Sequence, residues 1–172
     1  MNNTLQIKLL SDNATMPKRN HDTDAGFDIY AAETVVLEPQ EKALIATDIA
    51  VNIPKGYVGL LTSRSGVSSK THLVIETGKI DAGYQGHMQI NIKNDTQKNV
   101  ATNTYAFGEY LDIEGKKITD THFTLGNTYR IGKGDKLAQL VIVPIITPEL
   151  QQVEEFTSES ARGQKGFGSS GI

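Results

Sequence analysis

The sequence predicts an all-β protein built as a jelly roll or a related sandwich. Short runs of apolar or alternating residues recur along the chain, and each run is bounded by turn-forming residues such as Glu38-Pro39, Ala82-Gly83 and Gly132-Lys-Gly134. No segment keeps a helical period over a useful length. Many short strands in one domain are typical of a jelly roll. The predicted strands are Leu5–Leu9, Thr34–Leu37, Ala43–Ala46, Tyr57–Leu61, Met88–Ile92 and Ala138–Val143.

Composition narrows the class of protein. The chain has 172 residues, of which 38% are hydrophobic, so it can bury the core of one domain. It has no cysteine, which excludes disulfides and thiolate metal sites and suits a reducing cytoplasm. A net charge of −3 argues against direct nucleic-acid binding. We expect no secretion and no membrane insertion, because the N-terminus lacks a signal pattern and no apolar run is long enough to span a bilayer.

Three segments depart from the strand pattern. Gly66–Thr71 is compatible with one short helix. Residues 95–127 are polar and irregular, and their pattern suggests a hairpin around Ile113–Ile118. We interpret them as an insertion that is either a surface element without a specific function or a binding site for a partner. We expect a β domain over residues 1–160, followed by a flexible Gly-rich tail over residues 161–172.

Two polar clusters suit a phosphorylated ligand. Asp24-Ala-Gly-Phe-Asp28 places two carboxylates around a glycine, which suits a Mg²⁺ ion that keeps its waters, although an ordinary surface turn has the same composition. Thr62-Ser-Arg-Ser-Gly66 follows an apolar strand, so Arg64 and nearby hydroxyls are placed to bind phosphate. The alternative is a helix N-cap with a solvated arginine.

Gly78–Gly86 is interpreted as a glycine-rich hairpin that holds Asp81 and Tyr84. Such a hairpin can read a pyrimidine edge with backbone groups while the carboxylate orients a water, and an ordinary Asp-Gly turn is the alternative. Gln139 interrupts the last apolar run, and a buried amide there needs a partner, for which a backbone contact would suffice. The four histidines, His21, His72, His87 and His122, show no metal-ligand spacing.

The tail Arg162–Ile172 combines an arginine fork, bare glycine backbone, the hydroxyls of Ser169 and Ser170, and one aromatic ring, Phe167. These groups suit phosphates and a stacked base. The alternative is a disordered, solubilising terminus. Gly166–Gly171 also fits G-x-G-x-x-G, but no helix follows it, so a Rossmann site is rejected.

Together these segments resemble the five motifs of the homotrimeric dUTPases, in the form encoded by phages of Gram-positive bacteria. The motifs stand in family order: Asp24–Tyr30, Ser63–Gly66, Gly78–Gly86, Gly134–Gln139 and Arg162–Gly171. The resemblance covers nearly the whole chain outside residues 95–127. Three positions depart from the common pattern: Ser63 stands where a proline is frequent, Ile75 where many members have an asparagine, and Phe27 where tyrosine or leucine is usual.

The resemblance implies hydrolysis of dUTP to dUMP and pyrophosphate, with Asp81 as the general base and Tyr84 packed under the deoxyribose. It further implies Mg²⁺ held through waters by Asp28 and Asp24, a homotrimer with shared sites, and a cytoplasmic location, in the bacterial host if the chain is phage-encoded. The remaining implied substrate-binding residues are Arg64, Ser65, Gly66, Gly78, Ile80, Gln139, Arg162, Phe167, Gly168, Ser169 and Ser170.

Two other functions stay open at this point. Related enzymes of the same fold deaminate dCTP, but they carry a glutamate where Asp81 stands. A dUTPase-like trimer can also act as a regulator that binds a protein of a host mobile element, and the segment 95–127 keeps that possibility open.

Overall fold

The computed structural model describes residues 4–98, 105–160 and 163. In these residues regular structure consists of strands and one short helix, so the predicted all-β class is confirmed. The strands are β1 Gln6–Leu9, β2 Gly26–Tyr30, β3 Val35–Leu37, β4 Lys42–Asn52, β5 Tyr57–Ser63, β6 Leu73–Ile75, β7 Gly78–Ile80, β8 His87–Asn94, β9 Tyr105–Leu111, β10 Lys117–Leu125, β11 Tyr129–Ile131 and β12 Lys136–Pro144, and the helix is α1 Ser65–Ser68.

The strands form three four-stranded sheets around one core. Sheet I has the order β1-β4-β8-β6, sheet II the order β2-β12-β5-β7, and sheet III the order β10-β9-β11-β3. Their inward-facing residues meet in a single cluster that includes Ile29 of sheet II, Ile90 of sheet I and Ile131 of sheet III. Burial of such side chains supplies the main stabilising term of the fold. All six strands predicted from apolar runs are present, most of them longer than predicted.

A buried amide joins two of the sheets. Asn94 at the end of β8 is fully buried, and its Nδ2 donates to the carbonyls of Leu37 (3.0 Å) and Asn127 (2.9 Å). A buried amide without partners would be costly, so these bonds fix the end of β8 in sheet I against sheet III.

The β4–β8 ladder contains a bulge that matters for the site. Ala46 pairs with Gln89 and Ile49 with Met88, so Thr47 and Asp48 are extra residues in β4. Asp48 has a φ of 51°, in the left-handed region that carboxamide and carboxylate side chains tolerate better than most. Its N–H donates to Nε2 of His87 at 3.0 Å. The bulge therefore holds the first residue of β8.

The segment Gly78–Gly86 is not a β-hairpin, and that interpretation was wrong. β7 pairs with β5 in sheet II, whereas β8 pairs with β4 and β6 in sheet I. The two strands therefore belong to different sheets, and the turn between them crosses from one sheet to the other. Long-range pairing with β5 and β4 prevails over the local hairpin signal.

The hairpin predicted around Ile113–Ile118 is present, but it is larger than predicted and is not a separate unit. β9 and β10 pair on both sides of Asp112–Lys116, and the N–H of Leu111 donates to the carbonyl of Thr128 at 2.9 Å. At Gly115 an added Cβ would lie 2.5 Å from the carbonyl oxygen of Lys70, so the turn packs closely on the segment after α1. The hairpin is thus part of sheet III.

Residues 145–160 follow β12 without forming a strand or helix. Three apolar side chains of this segment are almost fully exposed, namely Ile146 (90%), Leu150 (99%) and Phe156 (89%). Exposed apolar groups on an extended segment suit contact with another surface. None of the helices in the described part of the chain is long and apolar enough to cross a membrane.

Candidate active site

The turn Asp81–Gly86 carries the predicted base and the predicted sugar contact. The N–H of Tyr84 donates to the carbonyl of Asp81 at 3.1 Å, and Gly83 between them has a φ of 91°. A glycine is needed there because other residues are strained in that conformation. The Asp81 side chain is exposed. The turn therefore presents the carboxylate to solvent at the end of β7.

Tyr84 lies over the second half of the same turn. Its hydroxyl donates to the carbonyl of His87 at 3.0 Å, although the side chain as a whole is 46% exposed. One end of the ring is therefore tied to the start of β8 while part of its surface is available to a ligand.

An open cavity of about 300 Å³ lies beside this turn. Drug-sized ligands occupy pockets of about 300–1,000 Å³, so the cavity suits a base and sugar better than a whole nucleoside triphosphate. The strand β7 is at the edge of sheet II, so one of its sides is not paired with another strand in the described residues. The cavity is lined by Lys79, Ile80, Asp81, Tyr84, His87, Met88 and Gln89.

Arg64 follows β5 and is held by a buried carboxylate. Oδ1 of Asp28, whose side chain is 4% exposed, lies 2.8 Å from Nε of Arg64. The distance suits a hydrogen bond but the N–H direction does not, because Nε has no hydrogen-bond partner by geometry, so the contact is an ion pair. Nη1 of Arg64 donates to the carbonyl of Lys136 at 3.4 Å. The guanidinium is thus oriented before any ligand binds.

The second oxygen of Asp28 is also occupied. Nζ of Lys136 lies 3.0 Å from Oδ2, and Nδ2 of Asn20 donates to the same oxygen at 3.3 Å. Nζ of Lys136 donates in turn to Oδ1 of Asn20 at 3.0 Å. A buried carboxylate is stable only when its charge is paired, and here two cations and one amide do this.

Gln139 stands beside this group on the central strand β12. It pairs with Asp28 of β2 on one side and Thr62 of β5 on the other, so these three side chains face the same side of sheet II. A Cβ at Gly26 would lie 3.0 Å from Cβ of Gln139, so the glycine leaves room for it. The amide of Gln139 makes no hydrogen bond within the described part of the chain, which leaves it available to a ligand.

Ser65 and Gly66 are exposed at the start of α1, next to Arg64. No atom lies within 4 Å of the position that a Cβ on Gly66 would take. The backbone and hydroxyl are therefore accessible to an anion bound by the arginine.

The two halves of the predicted site lie at opposite ends of β5. Gly59 pairs with Ile80, so Asp81 is opposite Val58, whereas Arg64 follows the other end of the strand. From Val58 to Arg64 is six residues, and at about 3.3 Å per residue the separation is about 20 Å. A triphosphate cannot contact both ends within one copy of the chain.

The carboxylates fit magnesium only through waters. The described residues contain no group of three or more His, Cys, Asp or Glu side chains that converge. Both oxygens of Asp28 already face cationic or amide groups, and Oδ2 of Asp24 accepts the N–H of His21 at 3.0 Å. Such a donor set suits an ion that arrives with a triphosphate and keeps its waters, and does not suit an ion caged by protein ligands.

One acid near the phosphate-binding end has a perturbed pKa. Burial raises the pKa of Asp135, although Oδ2 accepts the N–H of Gly132 at 2.7 Å, which opposes the rise. Asp135 precedes β12 and its carbonyl accepts the N–H of Ala31 at 3.0 Å. It therefore shapes the turn that leads into Gln139.

Sequence reasoning missed three residues of the site. Asn20 and Lys136 are the further polar partners of the Asp28 carboxylate. His87 accepts the Tyr84 hydroxyl with its carbonyl and the N–H of Asp48 with its ring. Lys136 lies inside the motif Gly134–Gln139, and that position was the available signal. Nothing in the sequence marks Asn20. Ile75, where an asparagine is frequent, is buried in the core.

The tail residues predicted to bind the ligand lie outside the described residues. These are Arg162, Phe167, Gly168, Ser169 and Ser170.

Comparison with known proteins identifies the family. A family model described as dUTPase matches residues 12–106 and 117–171. The curated deoxyuridine 5'-triphosphate nucleotidohydrolase of Mycolicibacterium gilvum is 36% identical over 177 residues, covering 99% of this chain and 97% of its own. That of Clostridium tetani is 34% identical over 170 residues, covering 98% and 97%.

Solved structures agree. The Staphylococcus bacteriophage 80alpha dUTPase with dUpNHpp superposes with a TM-score of 0.90 at 66% identity, covering 99% of both chains. The dUTPase of Staphylococcus aureus phage phi11, described with its species-specific insert, gives a TM-score of 0.86 at 68% identity and covers 91% of this chain and 100% of its own. Another structure of the phi11 protein is described as showing a structural Mg(II) ion.

The all-β sandwich and its motif residues thus define an enzyme of nucleotide metabolism, and the chain belongs to the dUTPase family. Within that family it is a dUTP diphosphatase of the phage type. The family model leaves out only residues 107–116 between its two matched stretches, which is much narrower than the insertion of residues 95–127 expected from the sequence.

Proposed function

We propose that the chain hydrolyses dUTP to dUMP and pyrophosphate through attack of water on the α-phosphorus, with Asp81 as the general base. The observation that carries this proposal is the placement of Asp81 and Tyr84 on one turn, beside a cavity at the free edge of β7. A carboxylate within reach of a positioned water takes its proton as the water attacks. Asp81 is exposed in a single chain, so it acts as a base only once ligand or protein covers it.

The base and sugar are recognised at the same place. The unpaired edge of β7 offers the backbone groups of Gly78 and Ile80 to the uracil edge, as an added strand would use them. A mispaired buried donor or acceptor costs on the order of 1–3 kcal/mol, which is enough to reject cytosine. The ring of Tyr84 packs under the deoxyribose and leaves no space for a 2′-hydroxyl.

The phosphates are bound at the other end of β5. Arg64 supplies a fixed positive charge, Ser65 and Gly66 supply a hydroxyl and N–H groups, and the amide of Gln139 supplies a further donor. Because Asp28 already orients the guanidinium, little reorganisation is needed when the triphosphate binds. Mg²⁺, when bound, neutralises phosphate charge, and Asp24 and Asp28 hold it through waters.

A complete site requires more than one copy of the chain. The separation of about 20 Å between Asp81 and Arg64 is bridged if each comes from a different protomer of a homotrimer. The exposed apolar side chains of residues 145–160 are available to pack on a neighbour. From there, the tail closes over the ligand, with Phe167 on uracil and Arg162, Gly168, Ser169 and Ser170 on phosphates. We place this trimer in the cytoplasm of the bacterial host.

The decisive experiment is pyrophosphate release from each dNTP and from UTP in the presence of Mg²⁺. We expect turnover of dUTP and little of the others. Asp81→Asn should lower kcat by several orders of magnitude while a non-hydrolysable dUTP analogue still binds, because an amide fills the same space but takes no proton. Near-normal turnover of dUTP by this variant would remove Asp81 from the role of base.

A second function, as a protein-binding regulator, is favoured by the hairpin. Residues 107–116, which the family model does not match, form most of β9 and the turn that follows it. The 80alpha dUTPase is described as controlling transfer of virulence genes, and the phage 80 dUTPase is described by its SaPI-inducing capacity. We propose that the exposed side of this hairpin contacts a regulatory protein of a host mobile element.

A charge exchange on the hairpin tests the second function. Nζ of Lys117 lies 2.8 Å from Oε2 of Glu109, and both side chains are exposed. The double variant Glu109→Lys/Lys117→Glu keeps the pair but inverts both charges. We expect it to retain dUTP turnover and to lose induction of a SaPI reporter in Staphylococcus. Absence of induction by the parent protein, or full induction by the double variant, would contradict this function.

A further inference from the structure

Gly86, which the sequence marks only as the last residue of a motif, lies directly against the ring of Tyr84. A Cβ on Gly86 would lie 2.7 Å from Oη, 2.8 Å from Cζ and 3.0 Å from Cε2 of Tyr84. Carbon atoms pack at about 3.5–4.0 Å from their neighbours, so a side chain at this position and the observed ring cannot coexist. The absence of a side chain is what allows the ring to lie on the turn.

We propose that Gly86 is a positioning residue for sugar discrimination, because it sets the place of the Tyr84 ring. The inference rests on the proposed role of Tyr84 beside the deoxyribose. Gly86 itself contacts no substrate in this scheme and acts only through the ring.

The hydrogen bond of Tyr84 makes the arrangement specific. The Tyr84 hydroxyl, which lies next to Gly86, also donates a hydrogen bond to the carbonyl of His87 at 3.0 Å. A methyl group on Gly86 encroaches on that oxygen, so the ring has to leave both its surface and its acceptor. The backbone of His87 pairs with Ala50 of β4, so its carbonyl is not free to follow the ring.

The two glycines of the turn have different functions. Gly83 has a φ of 91° and nothing within 4 Å of its Cβ position, so its requirement is conformational. Gly86 is outside the left-handed region, and its requirement is space. Alanine at position 86 is therefore compatible with the backbone and tests the steric contact alone.

Displacement of the ring should weaken discrimination at the 2′ position. Loss of one well-placed apolar contact in a pocket changes specificity by about 10-fold to 200-fold. We expect Gly86→Ala to lower the ratio of kcat/KM for dUTP to that for UTP by at least about tenfold. The KM for dUTP should rise more than kcat falls, because Asp81 begins the turn directly after β7, and the pairing of β7 with β5 is unchanged.

The test is a double-mutant cycle with the parent, Gly86→Ala, Tyr84→Ala and the double variant, each assayed on dUTP and UTP. If Gly86 acts through the ring, Gly86→Ala has little further effect once Tyr84 is alanine. Gly132→Ala is the matched control, because its Cβ would lie 3.5 Å from the Asp135 carboxyl, an ordinary contact.

Each outcome bears on the proposal. An unchanged dUTP/UTP ratio in Gly86→Ala, or an equal effect of that change in the Tyr84→Ala background, overturns it. If Gly86→Ala does not fold, folding of the double variant supports the steric origin, and failure of both variants overturns it. Failure of the parent to hydrolyse dUTP is a separate result that contradicts the proposed function instead.

Discussion

Two inactive variants of this protein should restore activity when they form mixed trimers. Asp81→Asn removes the proposed base at one end of β5, and Arg64→Ala removes the proposed phosphate-binding charge at the other end. Each change leaves the other half of the site intact. Because the two ends are separated by about 20 Å in one chain, we expect a productive site to combine Asp81 of one protomer with Arg64 of another.

The size of the recovery follows from counting. In an equal and random mixture, half of the chains carry an intact Asp81 and the other half an intact Arg64. A site built from two different chains is complete with a probability of one half times one half, so about a quarter of the sites in closed homotrimers are active. The expected activity is about a quarter of the parent's, against a background of several orders of magnitude less for either variant alone.

The assay is pyrophosphate release after the two variants are unfolded together in urea and refolded. Each variant refolded alone gives the background, and the two variants mixed after separate refolding give the control for chain exchange. If both groups of a site came from the same chain, every site in the mixture would lack one of them. A co-refolded mixture no more active than its components would therefore refute the shared site.

Four further outcomes are expected. Asp28→Asn should raise the KM for dUTP and reduce the free energy of unfolding by about 2–4 kcal/mol, because removal of one partner of a buried ion pair costs about 3–5 kcal/mol and the two cations here are partly exposed. Steady-state kinetics measures the first effect and urea unfolding the second. An unperturbed KM would show that Arg64 is oriented without Asp28. Burial raises the pKa of Asp135 above its unperturbed value of 3.8. The contribution of this carboxyl to the free energy of unfolding is therefore fully present below pH 3.8 and is lost as the pH rises through the pKa of the folded state. Asp135→Asn, which keeps an acceptor for the Gly132 N–H, should therefore raise Tm at pH 7 and lose that advantage in acid, and a destabilisation at pH 7 would contradict the assignment. A chain ending at Ser160 should remain trimeric by light scattering but lose most activity, whereas loss of the trimer would make the tail structural. Tyr84→Ala should raise turnover of UTP relative to dUTP, and an unchanged ratio would exclude the ring from sugar selection.

The fold class was accessible from the sequence because alternation and turn residues are local. The runs at Tyr57–Leu61 and Ala138–Val143 became β5 and β12, and the helix expected in Gly66–Thr71 overlaps α1, which begins one residue earlier. Sheet membership is not local. The turn Asp81–Gly86 carries the composition of a hairpin, yet β7 joins β5 and β8 joins β4, because pairing depends on contacts distant in sequence.

The candidate site shows the same division. Asp81 and Arg64 could be named from residue type and position, since their chemistry is carried by the side chain itself, whereas Gln139 was assigned to the phosphates through the family resemblance. The support of Arg64 could not be predicted, because Asn20 and Lys136 reach Asp28 only after β2 and β12 pair. The distance between the two halves of the site is likewise a property of the register of β5 and is absent from the motif pattern.

Because the Asp81–Gly86 turn crosses from sheet II to sheet I, a nucleotide bound there as proposed would contact both sheets. A ligand held against β7 on one side and against the Tyr84–His87 contact on the other would link sheet II to sheet I, in addition to their shared apolar core and the bond from the N–H of Ala32 to the carbonyl of Ala46. At a concentration one hundred times its Kd, a ligand that binds only the native state adds about 2.7 kcal/mol to the free energy of unfolding. Because such a ligand would contact both sheets, the added stability should extend to both. Slower amide hydrogen exchange should therefore spread from the turn into β4 of sheet I and β12 of sheet II. A ligand bound at this small surface turn would therefore rigidify both sheet I and sheet II.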